Sequence, residues 1–245
     1  AEGSPENPGK ITFLSMEDLK NEEGTLDYGG ENTGTDQHRD AYILYTSGTT
    51  GLPKGVRQTR ENIVYYVERY TENLGITSAD RLTWFSSFSH DAAVVDIYTA
   101  LLNGATLYPL NLKEPQVMAQ LPGWLETEEI TVWHSVPTVY RYFVGQITGP
   151  LELPKLRYVV LGGEAVLRSD IEKFNAYFPK GSRLYNLYGQ TESTYNAGRF
   201  FTVGQPIGEI TLGEVNKGTE LVVVDNRGNE TEPLEVGEIL VVSPH

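Results

Sequence analysis

The residues best suited to chemistry lie in one string, Tyr45-Thr46-Ser47-Gly48-Thr49-Thr50-Gly51-Leu52-Pro53-Lys54-Gly55. Its glycines let backbone N–H groups approach anionic oxygens closely, Ser47, Thr49 and Thr50 add hydroxyl donors, and Lys54 adds a full positive charge. Such a loop suits a polyphosphate. It is not a Walker A loop, because Lys54 is followed by Gly55 rather than by Ser or Thr and the glycine spacing does not fit. The competing reading is a solvated Gly/Thr turn between a strand and a helix.

A second string, Asn186-Leu187-Tyr188-Gly189-Gln190-Thr191-Glu192-Ser193-Thr194, follows an expected strand, and a third, Leu161-Gly162-Gly163-Glu164-Ala165, ends the most apolar one. Taken alone, Tyr188 is a core aromatic, Glu192 a solvated acid and Gly-Gly-Glu a plain strand-to-helix turn. Together with the first string they resemble the adenylate-forming superfamily, which includes acyl-CoA synthetases, luciferases and the adenylation domains of nonribosomal peptide synthetases. The first string is similar to the family's phosphate-binding loop and the second to its Asn-x-Tyr-Gly-x-Thr-Glu motif. Pro206-Ile207-Gly208, Leu221 to Asp225 and Gly237-Glu238-Ile239-Leu240 resemble the family's β-rich subdomain, so the likeness runs from about Ala41 to His245.

That resemblance implies attack by a substrate carboxylate on the α-phosphate of ATP, with Mg²⁺ and pyrophosphate leaving and an acyl-adenylate remaining. In the peptide-synthetase branch, the acyl group then passes to the phosphopantetheine thiol of a carrier protein. Carried over residue by residue, Thr46, Ser47, Gly48, Thr49, Thr50, Gly51 and Lys54 hold phosphates, Thr191 the α-phosphate and Glu192 the Mg²⁺. Tyr188 offers adenine a flat face, beside Gly163, Glu164, Ala165 and Asn186, and glycine suits a turn where a side chain would take the space of the base. A carboxylate is a hard oxygen ligand for Mg²⁺. Thr191, Glu192 and Lys54 are the expected catalytic residues.

Ser89-His90-Asp91-Ala92-Ala93-Val94 occupies the place of the Phe-Asp-Ala-Ser segment of amino-acid-activating members. Asp91 either pairs the substrate's α-ammonium, a contact that a dry pocket strengthens, or caps the helix that follows. His90 replaces the family's Phe, and its role stays open between substrate, phosphate and neither. The same carry-over lines the substrate pocket with Ala92, Val95, His134, Val160, Gly162, Leu187, Tyr195 and Asn196. His134, Tyr195 and Asn196 either give the pocket a polar character, suiting a hydrogen-bonding substrate side chain, or are satisfied within the core. The identity of the amino acid does not follow. Two other readings remain: an acyl- or aryl-acid CoA ligase, which binds no α-ammonium, and a non-catalytic nucleotide-binding module.

Periodicity supplies the elements that must position these groups. Ala41 to Thr46 reads as a strand running into the first loop. After that loop Ile63, Tyr66, Val67, Tyr70 and Leu74 share one helical face, with Thr59 as N-cap and Gly75 as stop. The alternation continues with strands over 82–88, 106–110, 130–134, 156–161 and 182–187, and with helices over 91–102, ended by Asn103-Gly104, and 169–178, capped by Ser169. Strands alternating with helices predict an α/β sheet with its ligand site at the carboxyl ends of the strands. Residues 1–38 read as a linker with an edge strand at Ile11 to Leu14, 39–199 as an α/β ATP- and substrate-binding subdomain, and 200–245 as a β-rich subdomain with a turn at Asn226 to Asn229.

Composition narrows the class further. A chain of 245 residues with 39% hydrophobic content is long enough for a substantial core. Its net charge of -14 gives no electrostatic footprint for nucleic acid or anionic membrane, so a nucleotide site here must be built from local donors. The absence of cysteine removes disulfides, thiolate metal sites and a thiol nucleophile, and suits the cytoplasm. The sequence stops at Ser243-Pro244-His245, before the Tyr-x-Thr-Gly-Asp segment and the mobile lid of family members. The expectation is therefore a fragment of a larger enzyme, inactive without its lid.

Overall fold

A computed structural model of the chain describes residues 40–47 and 52–244. The linker expected over 1–38 lies outside them. β1 (Asp40–Ser47) pairs antiparallel with β2 (Pro53–Thr59), placing Thr46 opposite Lys54 and Ser47 opposite Pro53. β1 is the strand expected from its sequence. β2 is an addition: Pro53 and Gly55 read as loop, yet proline is tolerated at the first residue of a strand.

α1 (Arg60–Leu74) begins and ends where its capping residues predict. Thr59 accepts from the Asn62 N–H at 3.2 Å, and Gly75 takes the left-handed conformation at φ 59. The buried residues are Ile63, Tyr66, Val67, Tyr70 and Leu74, the apolar face read from the sequence.

β3 (Arg81–Trp84), β4 (Thr106–Pro109), β5 (Val132–Ser135), β6 (Tyr158–Gly162) and β7 (Arg183–Tyr188) form a parallel sheet in the order β4-β3-β5-β6-β7. β8 (Ala197–Thr202) and β9 (Glu214–Val215) extend it antiparallel. Residue 200, where the sequence places the start of a β-rich lobe, thus falls inside a strand of the large sheet. β10 (Glu220–Val224) and β11 (Glu238–Val242) make a separate two-stranded sheet. The Asp225–Asn229 segment turns at Gly228, φ 83, as expected, and the chain touches Val224 again at Glu230 before β11.

α2 (Asp91–Leu102) matches its expected span, whereas α3 (Pro115–Thr127) and α4 (Pro137–Val144) were not legible. α5 (Arg168–Tyr177) starts one residue earlier than expected, and Ser169 does not cap it. Asp170 in its first turn accepts from the Leu167 N–H at 2.8 Å instead, so the helix reaches back to its own start. The strand expected over 82–88 stops at Trp84, where the chain turns locally: the indole donates to the Ser86 carbonyl at 2.7 Å and the His90 N–H to Ser87 at 3.0 Å.

The two-residue period of a strand divides the core. Trp133, Val159 and Leu161 face a layer containing Leu121, Leu125, Tyr140, Phe143 and Phe174 from α3, α4 and α5. Val132 and Val160 face the opposite layer with Tyr66, Tyr70, Leu74, Val94 and Val95 from α1 and α2. With helices on both sides, β6 is buried along its whole length, as its near-continuous apolar run implies. No helix among the described residues is long and apolar enough to cross a membrane.

The chain steps outward from β3 to β4, then returns to β5 on the other side of β3. Beyond the carboxyl ends of β3 and β5, helical connections leave in opposite directions, and a crevice opens there.

Candidate functional site

A cleft of about 1140 Å³ occupies that crevice. Its wall takes residues 84–88 after β3, Pro109 to Lys113 after β4, His134 to Val136 from β5, and Gly162 to Glu164 from β6. The first turn of α2 contributes Asp91 and Ala92, with Val95 one turn deeper. Thr46 and Ser47 reach it from the end of β1, and Thr191 and Glu192 from the turn after β7. A second hollow of about 500 Å³ adjoins it, sharing Gly163, Glu164, Leu187 and Gly189 and lined further by Ala165, Asn186 and Tyr188.

The structure thus brings two groups of expected residues together. Around the cleft lie Thr46, Ser47, Asp91, Ala92, Val95, His134, Gly162, Leu187, Thr191 and Glu192, and around the hollow lie Gly163, Glu164, Ala165, Asn186 and Tyr188. Gly48, Thr49, Thr50 and Gly51 lie outside the described residues. Lys54 is exposed on β2 and lines neither space.

Three expected pocket residues sit in the core instead. Val160 is fully buried on the α1/α2 face. The Tyr195 hydroxyl, also fully buried, accepts from the Asn73 amide at 2.5 Å and bonds the Tyr185 hydroxyl. Asn196 donates to the Ser193 hydroxyl at 2.7 Å and is 1% exposed. The partners of Tyr195 and Asn196 are thus those of the core, since a buried polar group takes whichever partner the fold offers it.

Asp91 is the first residue of α2 rather than its cap. The cap position belongs to His90, whose side chain makes no bond to the helix and meets the Ser89 hydroxyl at 3.1 Å through Nδ1. One Asp91 oxygen accepts the Ala92 N–H at 2.9 Å, leaving the other for the cleft. A carboxylate so placed answers the positive end of the helix and remains able to hold a cation.

The Thr191-Glu192 turn is held from two sides. Gly189 must be glycine: a Cβ there would lie 2.0 Å from the Thr194 carbonyl oxygen. Thr194 itself sits at φ 59, a costly conformation for a β-branched residue. From β2, the Gln58 amide donates to the carbonyls of both Thr191 and Glu192 at 2.9 Å, while its oxygen accepts from Asn62 at 2.6 Å. Gln58 is 1% exposed and went unnoticed in the sequence. The available signal was its register: once β2 is a strand, Gln58 shares the inward face with Val56.

Asp96 is the other omission. Its Oδ1 lies 2.7 Å from His134 Nδ1, both side chains are buried, and Oδ2 has no partner. Burial lowers the affinity of His134 for its proton, but the Asp96 carboxylate, with Asp91 beyond it, outweighs that and raises the imidazole above its ordinary value. Burial pushes Asp96 up in turn. The signal was an acid inside the otherwise apolar Ala92 to Leu102 run, since such a residue needs a partner.

Glu164 joins the two spaces: its carboxylate accepts from the Thr138 N–H at 3.0 Å and hydroxyl at 2.6 Å, fixing the Gly163 turn, φ 81, to the start of α4. Among the described residues no group of three or more His, Cys, Asp or Glu side chains could hold a metal ion. A lone carboxylate suits Mg²⁺, which keeps waters and completes its shell with phosphate oxygens.

Residues 4–245 match the AMP-binding enzyme family. The chain is 32% identical over 214 residues to the delta-poly-L-ornithine synthetase of Acinetobacter baumannii, covering 86% of this chain and 15% of that protein. It is 31% identical over 206 residues to the L-proline--[L-prolyl-carrier protein] ligase of Streptomyces coelicolor, covering 82% of this chain and 38% of that protein. The crystal structure of the Vibrio cholerae adenylation domain AlmE, in complex with glycyl-adenosine-5'-phosphate, superposes with a TM-score of 0.69 at 28% identity, over 80% of this chain and 36% of that one. The chain therefore spans well under half the length of these relatives. By its sequence match, its sheet order and the motifs gathered around its cleft, this chain belongs to the AMP-binding enzyme family.

Proposed function

We propose that this chain is the nucleotide- and substrate-binding core of a ligase that activates an amino acid as its acyl-adenylate, for transfer to the phosphopantetheine thiol of a carrier protein. The observation that carries the reading is the convergence in one cleft of the β1 end, the Thr191-Glu192 turn and Asp91, beside a hollow floored by the Gly163 turn and Tyr188. The amino-acyl ligase and the glycyl-adenylate complex among its relatives support the substrate class.

In this reading adenine lies in the smaller hollow, against Tyr188 and the glycine turn. Thr46, Ser47, Thr49 and Thr50 hold the departing phosphates and Thr191 the α-phosphate, and Lys54, outside both spaces here, contributes only by reaching in from β2. Asp91 fixes the α-ammonium, which turns the substrate carboxylate toward that phosphate. A carboxylate oxygen attacks the α-phosphorus, and the bond to the bridging oxygen of pyrophosphate breaks. The protein's part is positioning, together with donors fixed where charge accumulates. Glu192 is the residue able to hold Mg²⁺, which when bound offsets the negative charge of the phosphates. Gln58 keeps the Thr191-Glu192 turn in place by holding both of its carbonyls.

Titration calorimetry of the chain with AMP and with a non-hydrolysable aminoacyl-sulfamoyl-adenosine tests the proposal. The analogue spans both spaces and should bind on the order of 10²-fold more tightly than AMP, as mimics of reaction intermediates do. Absence of saturable binding by either compound, or equal affinities, refutes it.

A further inference from the structure

The His134–Asp96 pair carries a conclusion about the substrate itself, and it rests on the adenylation reading above. We infer that His134, anchored on Asp96, presents Nε2–H to the cleft as the donor that selects the substrate, so that the amino acid taken here ends its side chain in an oxygen acceptor, a carboxylate or a carboxamide.

The strand register aims the ring. Val132 lies on the α1/α2 face of β5, and His134, two residues on, meets Asp96 of α2 on that same side, at the mouth of the strand. Nδ1 is occupied by the Asp96 carboxylate at 2.7 Å. Nε2 is then the ring nitrogen left to meet the cleft that His134 lines. Most buried polar atoms find a partner, and for Nε2 the cleft is the place left to supply one.

Charge decides whether Nε2 donates or accepts. Asp96 is 2% exposed, its second oxygen is unpartnered, and no Lys or Arg among the described residues pairs with it. A carboxylate so buried requires a counter-ion, and the imidazolium is the one at hand. The groups facing the pair are Asp91 on the same helix, Tyr70 on α1 and Thr83 on β3, whose hydroxyl accepts the His134 backbone N–H at 3.0 Å. None is a competing cation, and Asp91 adds to the raised proton affinity of the ring. With Asp96 as its counter-ion the protonated ring carries hydrogen on both nitrogens, and Nε2 then donates to the cleft.

Asp91, in the first turn of α2, and His134, at the end of β5, reach the cleft from different elements, so the α-ammonium and the side chain are read by separate groups. Ala92 and Val95, between Asp91 and Asp96, and Leu187 opposite line the cleft with apolar surface for a short methylene stem. A cationic side chain would meet the imidazolium with like charge.

The test uses sulfamoyl-adenosines carrying Glu, Gln, Asp, Asn, norleucine or ornithine, bound to the full chain at pH 7, so that the nucleotide half stays constant. At least one acceptor analogue should bind on the order of tenfold more tightly than norleucine, the usual worth of a hydrogen bond from a charged donor, with ornithine weakest. The ¹⁵N shifts of the His134 ring should show two protonated nitrogens at pH 7. In Asp96→Asn the acceptor preference should weaken at pH 7.5 and return at pH 5.5, where the ring protonates unaided. A tightest ornithine complex, a flat series or a neutral ring at pH 7 overturns the inference while leaving adenylation standing. Failure of every analogue to bind overturns both.

Discussion

The two ends of the same parallel strands are built on opposite principles. At the amino end, segments entering β3, β5 and β6 are locked together. Arg157 donates to both Asp80 oxygens at 2.6 and 2.7 Å and to the Leu74 and Gly75 carbonyls that close α1, at 2.9 and 3.1 Å. Thr131 donates to Asp80 at 2.7 Å and accepts the Arg81 N–H at 2.9 Å. Arg183 donates to the Tyr158 hydroxyl at 2.5 Å and lies 5.0 Å from the centre of its ring. At the carboxyl end the Asp96 Oδ2 and Thr194 hydroxyl oxygens, beside the cleft, are among the buried polar atoms left without a partner. A closed network holds a sheet together but has nothing left for a ligand. Unfilled valences cost stability, and real proteins tolerate that cost at functional sites.

Breaking the closed end should give the largest loss of stability with no loss of recognition. Asp80→Ala leaves Arg157, which is about one-third exposed and can turn toward water, so the expected cost is about 2–3 kcal/mol rather than the full cost of an orphaned charge. Urea denaturation measures it, and AMP affinity of the folded fraction should be unchanged. Acid should act on the same contact. Burial pushes the Asp80 carboxyl up, but bonds from Thr131, Arg157 and Thr77 outweigh it and hold it below the usual range. With the folded value lowered, this stabilisation is present above about pH 4 and is lost as pH falls through the lowered value. Asp80→Asn should flatten that part of the stability profile.

Gln58→Leu tests the hinge between the two principles. Removing its amide strands two carbonyls, at a cost of about 1–3 kcal/mol. Unlike Asp80→Ala, it should also weaken Mg·ATP binding, since the Thr191-Glu192 turn is no longer tied to β2. An affinity that survives unchanged would make Gln58 a purely structural residue. The smallest stability effect is expected at Glu192→Gln, where one exposed carboxylate becomes an amide. The melting temperature should stay put while the Mg²⁺ dependence of nucleotide binding collapses, because a neutral amide is a poor ligand for a hard dication. Equal metal dependence in both proteins would remove Glu192 from the site.

Local signals made much of this fold legible. α1 was readable to the residue because a Thr cap, an apolar stripe and a stop glycine agree. α3 was not, because Pro122 and Gly123 interrupt it; Met118, Leu121 and Leu125 hold it helical through burial that only the sheet provides. α4, at eight residues, is too short for a period to show, and its start is marked only by Pro137. Of the site, contiguous strings were legible and pairings were not. Asp96 and His134 are 38 residues apart, and only the packing of α2 on β5 makes them neighbours. Tyr195 was assigned to the pocket by position alone, and the Asn73 amide that claims its hydroxyl lies 122 residues away.

The hydrogen bonds that tie β2 and α1 to the chain beyond β7 are also among its longest in sequence: Gln58 to Thr191 across 133 residues, Asn73 to Asn216 across 143, and Tyr65 to Thr219 across 154. Contacts of that separation repay their loop-closure entropy only after the intervening chain is in place. Hairpins and helix caps carry no such cost, so these clasps are expected to close after them. The expected outcome in refolding is that far-ultraviolet circular dichroism recovers before AMP binding does, because the Thr191-Glu192 turn is tethered to β2 by the Gln58 contacts.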